Sequence, residues 1–169
     1  MKLSLTHVFP CQPGELFDLL EDPQLEAILA REGNLQREVV ERRESPDGTR
    51  FRRVKCRPNR SVPAFLRPFV GPEGIVYFQV SEGQPASGLL RWRVEVPAMG
   101  ERMQVSGTTR VEPHPDGCRR IIEGEVTVAI RLVGSTIEKY VAEELHKSYD
   151  KAALGVASFM ASRPRPAQG

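Results

Sequence analysis

The sharpest pattern of apolar and polar positions lies in the second half of the chain. Met103, Val105, Gly107, Thr109 and Val111 fall on one side of a strict alternation, and Arg102, Gln104, Ser106, Thr108 and Arg110 on the other. That period of two is the signature of a strand with one wet face. After "HPDG" at 114–117, Ile122, Gly124, Val126, Val128, Ile130 and Leu132 oppose Glu123, Glu125, Thr127 and Arg131. In such a turn proline presets φ and glycine takes a positive φ, so the two runs predict a half-buried antiparallel hairpin. "SPDG" at 45–48 predicts a second, and "GIVYFQV" and "GLLRWRVEV", joined by "SEGQPAS", a third. Folding the last hairpin about its turn brings Gly107 near Gly124 on the apolar face.

A first strand in "MKLSLTHVFP" gives way to a helical period. Pro13 and Glu15 suit a first turn, Leu16, Phe17, Leu19 and Leu20 form an apolar face, and Asp22-Pro23 restarts a helix that Gly33 closes. At the far end, Ile137, Val141, Leu145, Ser148, Ala152, Val156 and Phe159 recur at spacings of three and four. They predict one helix from Thr136 to Ala161, about 39 Å long at 1.5 Å per residue. Gly134-Ser135 reads as its turn and N-cap, with Glu138 completing a capping box. The middle of the stripe is small, with Ser148, Ala152 and nearby Gly155 where close packing calls for bulk. With Gly107 and Gly124 opposite, either helix and sheet approach closely or an apolar space remains between them.

Other segments add detail. On the strands, Trp92 shares a face with Leu90, Val94 and Val96, and Phe78 with Val76 and Val80, so both aromatics are expected inward and Tyr77 outward. Phe51 and Val54 are inward candidates whose spacing breaks at Arg52-Arg53, which predicts a bulge. "RPNRSVPAFLRPFVGPEG" carries four prolines among arginines and apolar residues and reads as a loop, with the properties of a gate or a membrane contact. "SRPRPAQG" at 162–169 reads as a disordered tail.

Composition fits a single domain over residues 1–161: 169 residues, 40% hydrophobic and 27% charged, suffice to bury a core without disulfide or metal. Three unpaired cysteines, Cys11, Cys56 and Cys118, and the lack of a signal-like start or a span-length apolar run point to the cytoplasm. The net charge of +2 hides an asymmetry. Residues 31–67 hold eleven Lys or Arg against five Asp or Glu, leaving the remainder net negative by four. The basic hairpin is either a solvated surface or a contact for an acidic protein or anionic membrane. It lacks the exposed stacking aromatics that nucleic-acid binding requires. His7, His114 and His146 have no metal-ligand spacing, and no G-x-S-x-G elbow or phosphate-binding glycine motif is present, so no metal, cofactor or catalytic residue is assigned. Glu95, Glu123, Glu125 and Glu144 are the carboxylates weighed for acid-base work, the first three facing solvent by alternation.

The order of one strand, two short helices, a six-strand meander and a long amphipathic helix matters more than any motif. With "SLTHVFPCQPGELFDLLEDP", "VPAFLRPFVG" and "RLVGSTIEKYVAEEL", the chain resembles the START-like superfamily of polyketide cyclases and lipid-transport proteins, and within it a bacterial START-like family, over nearly its whole length. The resemblance implies an α+β helix-grip fold: a curved antiparallel sheet of about seven strands around the C-terminal helix, with two short helices after strand 1. Many members bind lipids, sterols, polyketides or hormones in a cavity under that helix, and a minority catalyse. The expected function is therefore binding of a lipid or other hydrophobic small molecule. Phe78, Trp92, Met103, Val126, Ala152, Val156 and Phe159 are expected to line the cavity, with Thr109 and Ser148 as polar anchors. Arg60, Phe65, Arg67 and Phe69 are expected to gate it and receive an anionic head group. A cyclase- or hydrolase-like enzyme and a protein-interaction module docking through the basic hairpin are the alternatives.

Overall fold

The computed structural model describes residues 1–163. Strand β1 (Lys2–Phe9) leads to helices α1 (Pro13–Leu20) and α2 (Pro23–Glu32). Strands β2 (Leu35–Glu44), β3 (Arg50–Pro58), β4 (Tyr77–Gln84), β5 (Leu89–Glu95), β6 (Met103–His114) and β7 (Gly117–Val128) follow, and α3 (Gly134–Ser162) closes the chain. The seven strands form one sheet in the order β1-β7-β6-β5-β4-β3-β2, every neighbouring pair antiparallel. This is the helix-grip α+β architecture. Ser162, the first residue of the expected tail, belongs to α3, and 164–169 of that segment lie outside the described residues.

Local chemistry accounts for most boundaries. The Asp22 carboxylate caps α2 by accepting from the Gln24 and Leu25 amides at 2.8 and 3.3 Å. Gly33 ends that helix in an ordinary right-handed conformation, and the left-handed residue is Asn34, at φ 50°. Gly48 (φ 85°) and Gly117 (φ 134°) supply the positive φ that the two Pro-Asp-Gly turns require.

Gly107 and Gly124 pair directly across β6 and β7, and Trp92 on β5 pairs with Gly107. A Cβ at Gly107 would lie 2.5 Å from the indole Cζ2, and one at Gly124 2.7 Å from Cη2. The hollow at the centre of the sheet is thus filled by Trp92, which is buried and packs near Tyr149 of α3 at 6.2 Å between centroids.

Three expectations are corrected. The Ser135 capping box does not form: α3 begins at Gly134, and Glu138 instead accepts from the Val128 amide at 2.8 Å and faces the N-terminal ammonium. The bulge lies on β2 between Val39 and Glu41, opposite Val54 and Arg53, while β3 runs in regular register with β4. Phe51 and Phe78 both lie on the outward face, beneath the Arg43 and Arg53 guanidiniums at 4.3 and 3.8 Å. Cation–π contact with long arginine stems shelters these rings without a second layer.

Candidate functional site

A cavity of about 260 Å³ lies between α3 and the inner face of the sheet. Its inner part is apolar: Leu66 and Val70 from the loop after β3, Val94 and Val96 around the end of β5, Met103 of β6, and Ile137 of α3. The outer part is charged. Glu32, Arg37, Arg60, Glu144, Lys147 and Lys151 stand around it. Ser148, which is exposed, and Ala152, half-buried, also line it, so the small residues of α3 border the mouth. The α3 stripe lines the space at Ile137, Val141, Leu145, Ser148 and Ala152, then closes on the N-terminal helices through Gly155, Val156 and Phe159.

The polar groups have defined partners. Arg60 pairs with Glu144, whose other oxygen lies 3.5 Å from Lys147. Arg37 on β2 donates from Nη2 to Gln79 Oε1 at 3.2 Å and stands 3.8 Å from Glu26 of α2, a carboxylate also taken by Arg52. Its Nε is buried with no partner among the described residues. Burial pushes the Tyr77 and Tyr140 hydroxyls above their ordinary range, so both remain protonated donors on the cavity wall.

Of the expected lining residues, Met103, Ser148 and Ala152 line the cavity, as does Arg60 from the gate set. Trp92 and Val126 are buried in the core beside it, Thr109 is buried opposite Ile122 and Leu90, and Val156 and Phe159 belong to the cluster under α1 and α2. Phe78 turns outward, and Tyr77 and Gln79 take the inward positions expected for it. Phe65 and Phe69 pack on the main core, Phe65 edge-on to Tyr140 at 5.5 Å, and Leu66 between them reaches the cavity. Arg67 is exposed and donates from Nε to the Val62 carbonyl at 3.3 Å, tying the loop to itself.

Sequence reasoning missed Arg37, Tyr77 and Gln79. The "SPDG" hairpin alone registers Arg37 with Arg57, and the bulge between Val39 and Glu41 moves it against Cys56 and thus against Tyr77 on β4, so the sequence carried no usable signal for Arg37. Of the carboxylates weighed for catalysis, only Glu144 borders the cavity. Glu123 and Glu125 are exposed, Glu95 pairs with Arg53 and Arg93 at 3.0 and 2.9 Å, and Glu144 is held at the rim by Arg60.

A second polar cluster lies beneath α3. Arg120 of β7, 3% exposed, donates from Nη2 to His7 Nδ1 at 3.1 Å. A guanidinium only donates, so Nδ1 accepts and His7 Nε2 carries the proton to Asp150 Oδ1 at 2.8 Å. Burial lowers the Arg120 guanidinium to about 10, and the rings of Phe9 and Tyr149 flank it at 5.1 and 5.7 Å. The cluster joins β1, β7 and α3. Among the described residues no group of His, Cys, Asp and Glu is placed to hold a metal, and no helix is long and apolar enough to cross a membrane.

A seven-stranded antiparallel grip with a cavity under its C-terminal helix is the START-like fold, and solved structures share it. TTHA0849 from Thermus thermophilus superposes with a TM-score of 0.64 at 16% identity, covering 96% of this chain and 100% of its own. The Zhui aromatase/cyclase from Streptomyces sp. R1128 gives 0.62 at 14% identity, covering 100% and 98%. Ara h 8.0201 gives 0.59 at 13%, covering 94% and 98%. The chain belongs to the family described as Protein of unknown function (DUF2505), whose sequence profile matches residues 4–157. No curated protein matches it by sequence.

Proposed function

We propose that residues 1–161 act as one domain that binds a hydrophobic small molecule or lipid in the cavity beneath α3, in the cytoplasm. One observation carries this reading: an apolar chamber of about 260 Å³ with a charged mouth bordered by Ser148 and Ala152. Apolar walls with a few placed polar groups are the usual composition of a small-molecule site. The shared fold of an aromatase/cyclase adds support for a small-molecule cavity. Cys11, Cys56 and Cys118 are free and buried, consistent with a reducing compartment. Phe65 and Phe69 gate the chamber, because their loop both packs on the core and carries Leu66 into the cavity wall. The charged mouth is the part that meets a membrane surface or a partner during transfer.

The test is a fluorescence titration with the neutral apolar probe N-phenyl-1-naphthylamine. Saturable one-to-one enhancement is expected for the wild type and its loss in Ala152→Trp, with circular dichroism unchanged. Unsaturable binding, or binding that Ala152→Trp leaves intact, contradicts the assignment of the site.

A further inference from the structure

We infer that the ligand of this cavity is a monocarboxylate, an apolar body of about medium-chain fatty-acid or bicyclic-ring size whose carboxylate is received by Arg37. The inference rests on the binding function proposed above and adds to it the chemistry and size of the ligand.

Charge at the cavity supports an anion. Among its lining residues Arg37, Arg60, Lys147 and Lys151 are cationic, and Glu32 and Glu144 anionic, a surplus of two positive charges. Arg60 and Lys147 share Glu144. Arg37 and Arg52 share Glu26, which Arg52 holds more closely, Arg37 standing 3.8 Å away. Lys151 has no carboxylate partner among the described residues but is exposed and served by water, so Arg37 is the sheltered cation of the cavity wall with the weakest compensation. Its Nη2 is oriented by Gln79, and its buried Nε lacks an acceptor among the described residues. A donor left unsatisfied away from water is unfavourable, and an incoming carboxylate relieves this by a small turn of the guanidinium. Tyr77, held protonated by burial, stands on the same wall and donates rather than repels.

Size narrows the class. The volume of about 260 Å³ lies just under the range of about 300–1,000 Å³ usual for drug-sized ligands. The volume favours one chain of about ten carbons or two fused rings over a sterol or a two-chain lipid. The carboxylate end meets Arg37 while the apolar body lies toward Val94, Met103 and Ile137.

Calorimetric titrations at pH 8 with two matched pairs test this: decanoate against decanol, and 2-naphthoate against 2-naphthol. In at least one pair the acid is expected to bind about tenfold tighter than the alcohol, the effect of one charge-assisted hydrogen bond. The pair that binds identifies the body as chain or ring. Arg37→Met is expected to bring the acid-to-alcohol ratio to one or below, and Arg37→Lys to restore part of it. Collapse of the ratio in Arg60→Met with persistence in Arg37→Met would overturn the role of Arg37. Equal binding of acid and alcohol by the wild type overturns the carboxylate inference and leaves the cavity function standing. Failure of all four compounds together with the neutral probe overturns both, and the wild-type comparison decides these outcomes whether or not the variants fold.

Discussion

Trp92 shows how one side chain sets the composition of its surroundings. The indole lies across Gly107 and Gly124, and a methyl group at Gly124 would meet both the ring, at 2.7 Å, and the Ser106 carbonyl at 2.8 Å. Gly124→Ala is therefore expected to cost about 1–3 kcal/mol in urea unfolding. Gly14→Ala, on α1 with nothing within 4 Å of the added Cβ, should instead stabilise by about 0.5–1 kcal/mol. The cysteines give a prediction in pH. Burial, reinforced by Cys118 at 3.8 Å, pushes the Cys11 thiol from 9.0 up to about 12. A raised thiol pKa means that the folded state holds its proton more tightly. Its contribution to stability is complete below pH 9 and is lost as pH rises from 9 toward 12. At pH 8 iodoacetamide should accordingly spare all three cysteines in the native protein and label them in 6 M guanidinium, and rapid native labelling of Cys11 would contradict the buried site. At this scale the inward tryptophan was legible from alternation. Phe78 was not, because β4 inverts the usual rule: its inward positions carry Tyr77 and Gln79 along the polar part of a cavity, while its outward ring is covered by arginine.

At the scale of elements, the basic hairpin and the N-terminal helices form one electrostatic unit. Eight of the eleven cations in residues 31–67, Arg37, Arg42, Arg43, Arg50, Arg52, Arg53, Arg57 and Arg60, stand within 4.0 Å of a carboxylate. Asp18, Glu21 and Glu26 of the α1–α2 arm supply several of these partners. The charge asymmetry read from sequence thus acts largely inside the molecule. Glu26 holds the central place, since its loss leaves Arg37 and Arg52, both mostly buried, facing each other. Glu26→Gln is expected to cost about 2–3 kcal/mol in chemical denaturation, and a change below about 0.5 kcal/mol would show that solvent screens the pair. The Asp22 cap, the paired turns and the order of strands and helices were legible, because each rests on short-range chemistry. The start of α3 and the bulge at Val39–Glu41 were not, since Glu138 is drawn to β7 and the N-terminus, and the bulge is a property of two strands together.

At the scale of the whole molecule, α3 performs two tasks along its 29 residues. Its C-terminal part packs on α1 and α2 through Gly155, Val156 and Phe159, with Gly155 allowing Leu29 close approach. Its central part borders a cavity, and the small side chains there leave the mouth open. Of the small residues singled out by the sequence, Ser148 and Ala152 border the cavity, whereas at Gly107 and Gly124 the missing volume is taken up by Trp92. Periodicity reports where bulk is absent along one element and says nothing of what an opposite element places there. The central claim is that this cavity holds a ligand, and native mass spectrometry of the protein mixed with a total lipid extract tests it most directly. A one-to-one adduct of a single apolar species on the wild type, absent from Ala152→Trp, is the expected result. No adduct at any extract concentration, or adducts that Ala152→Trp retains, would contradict it.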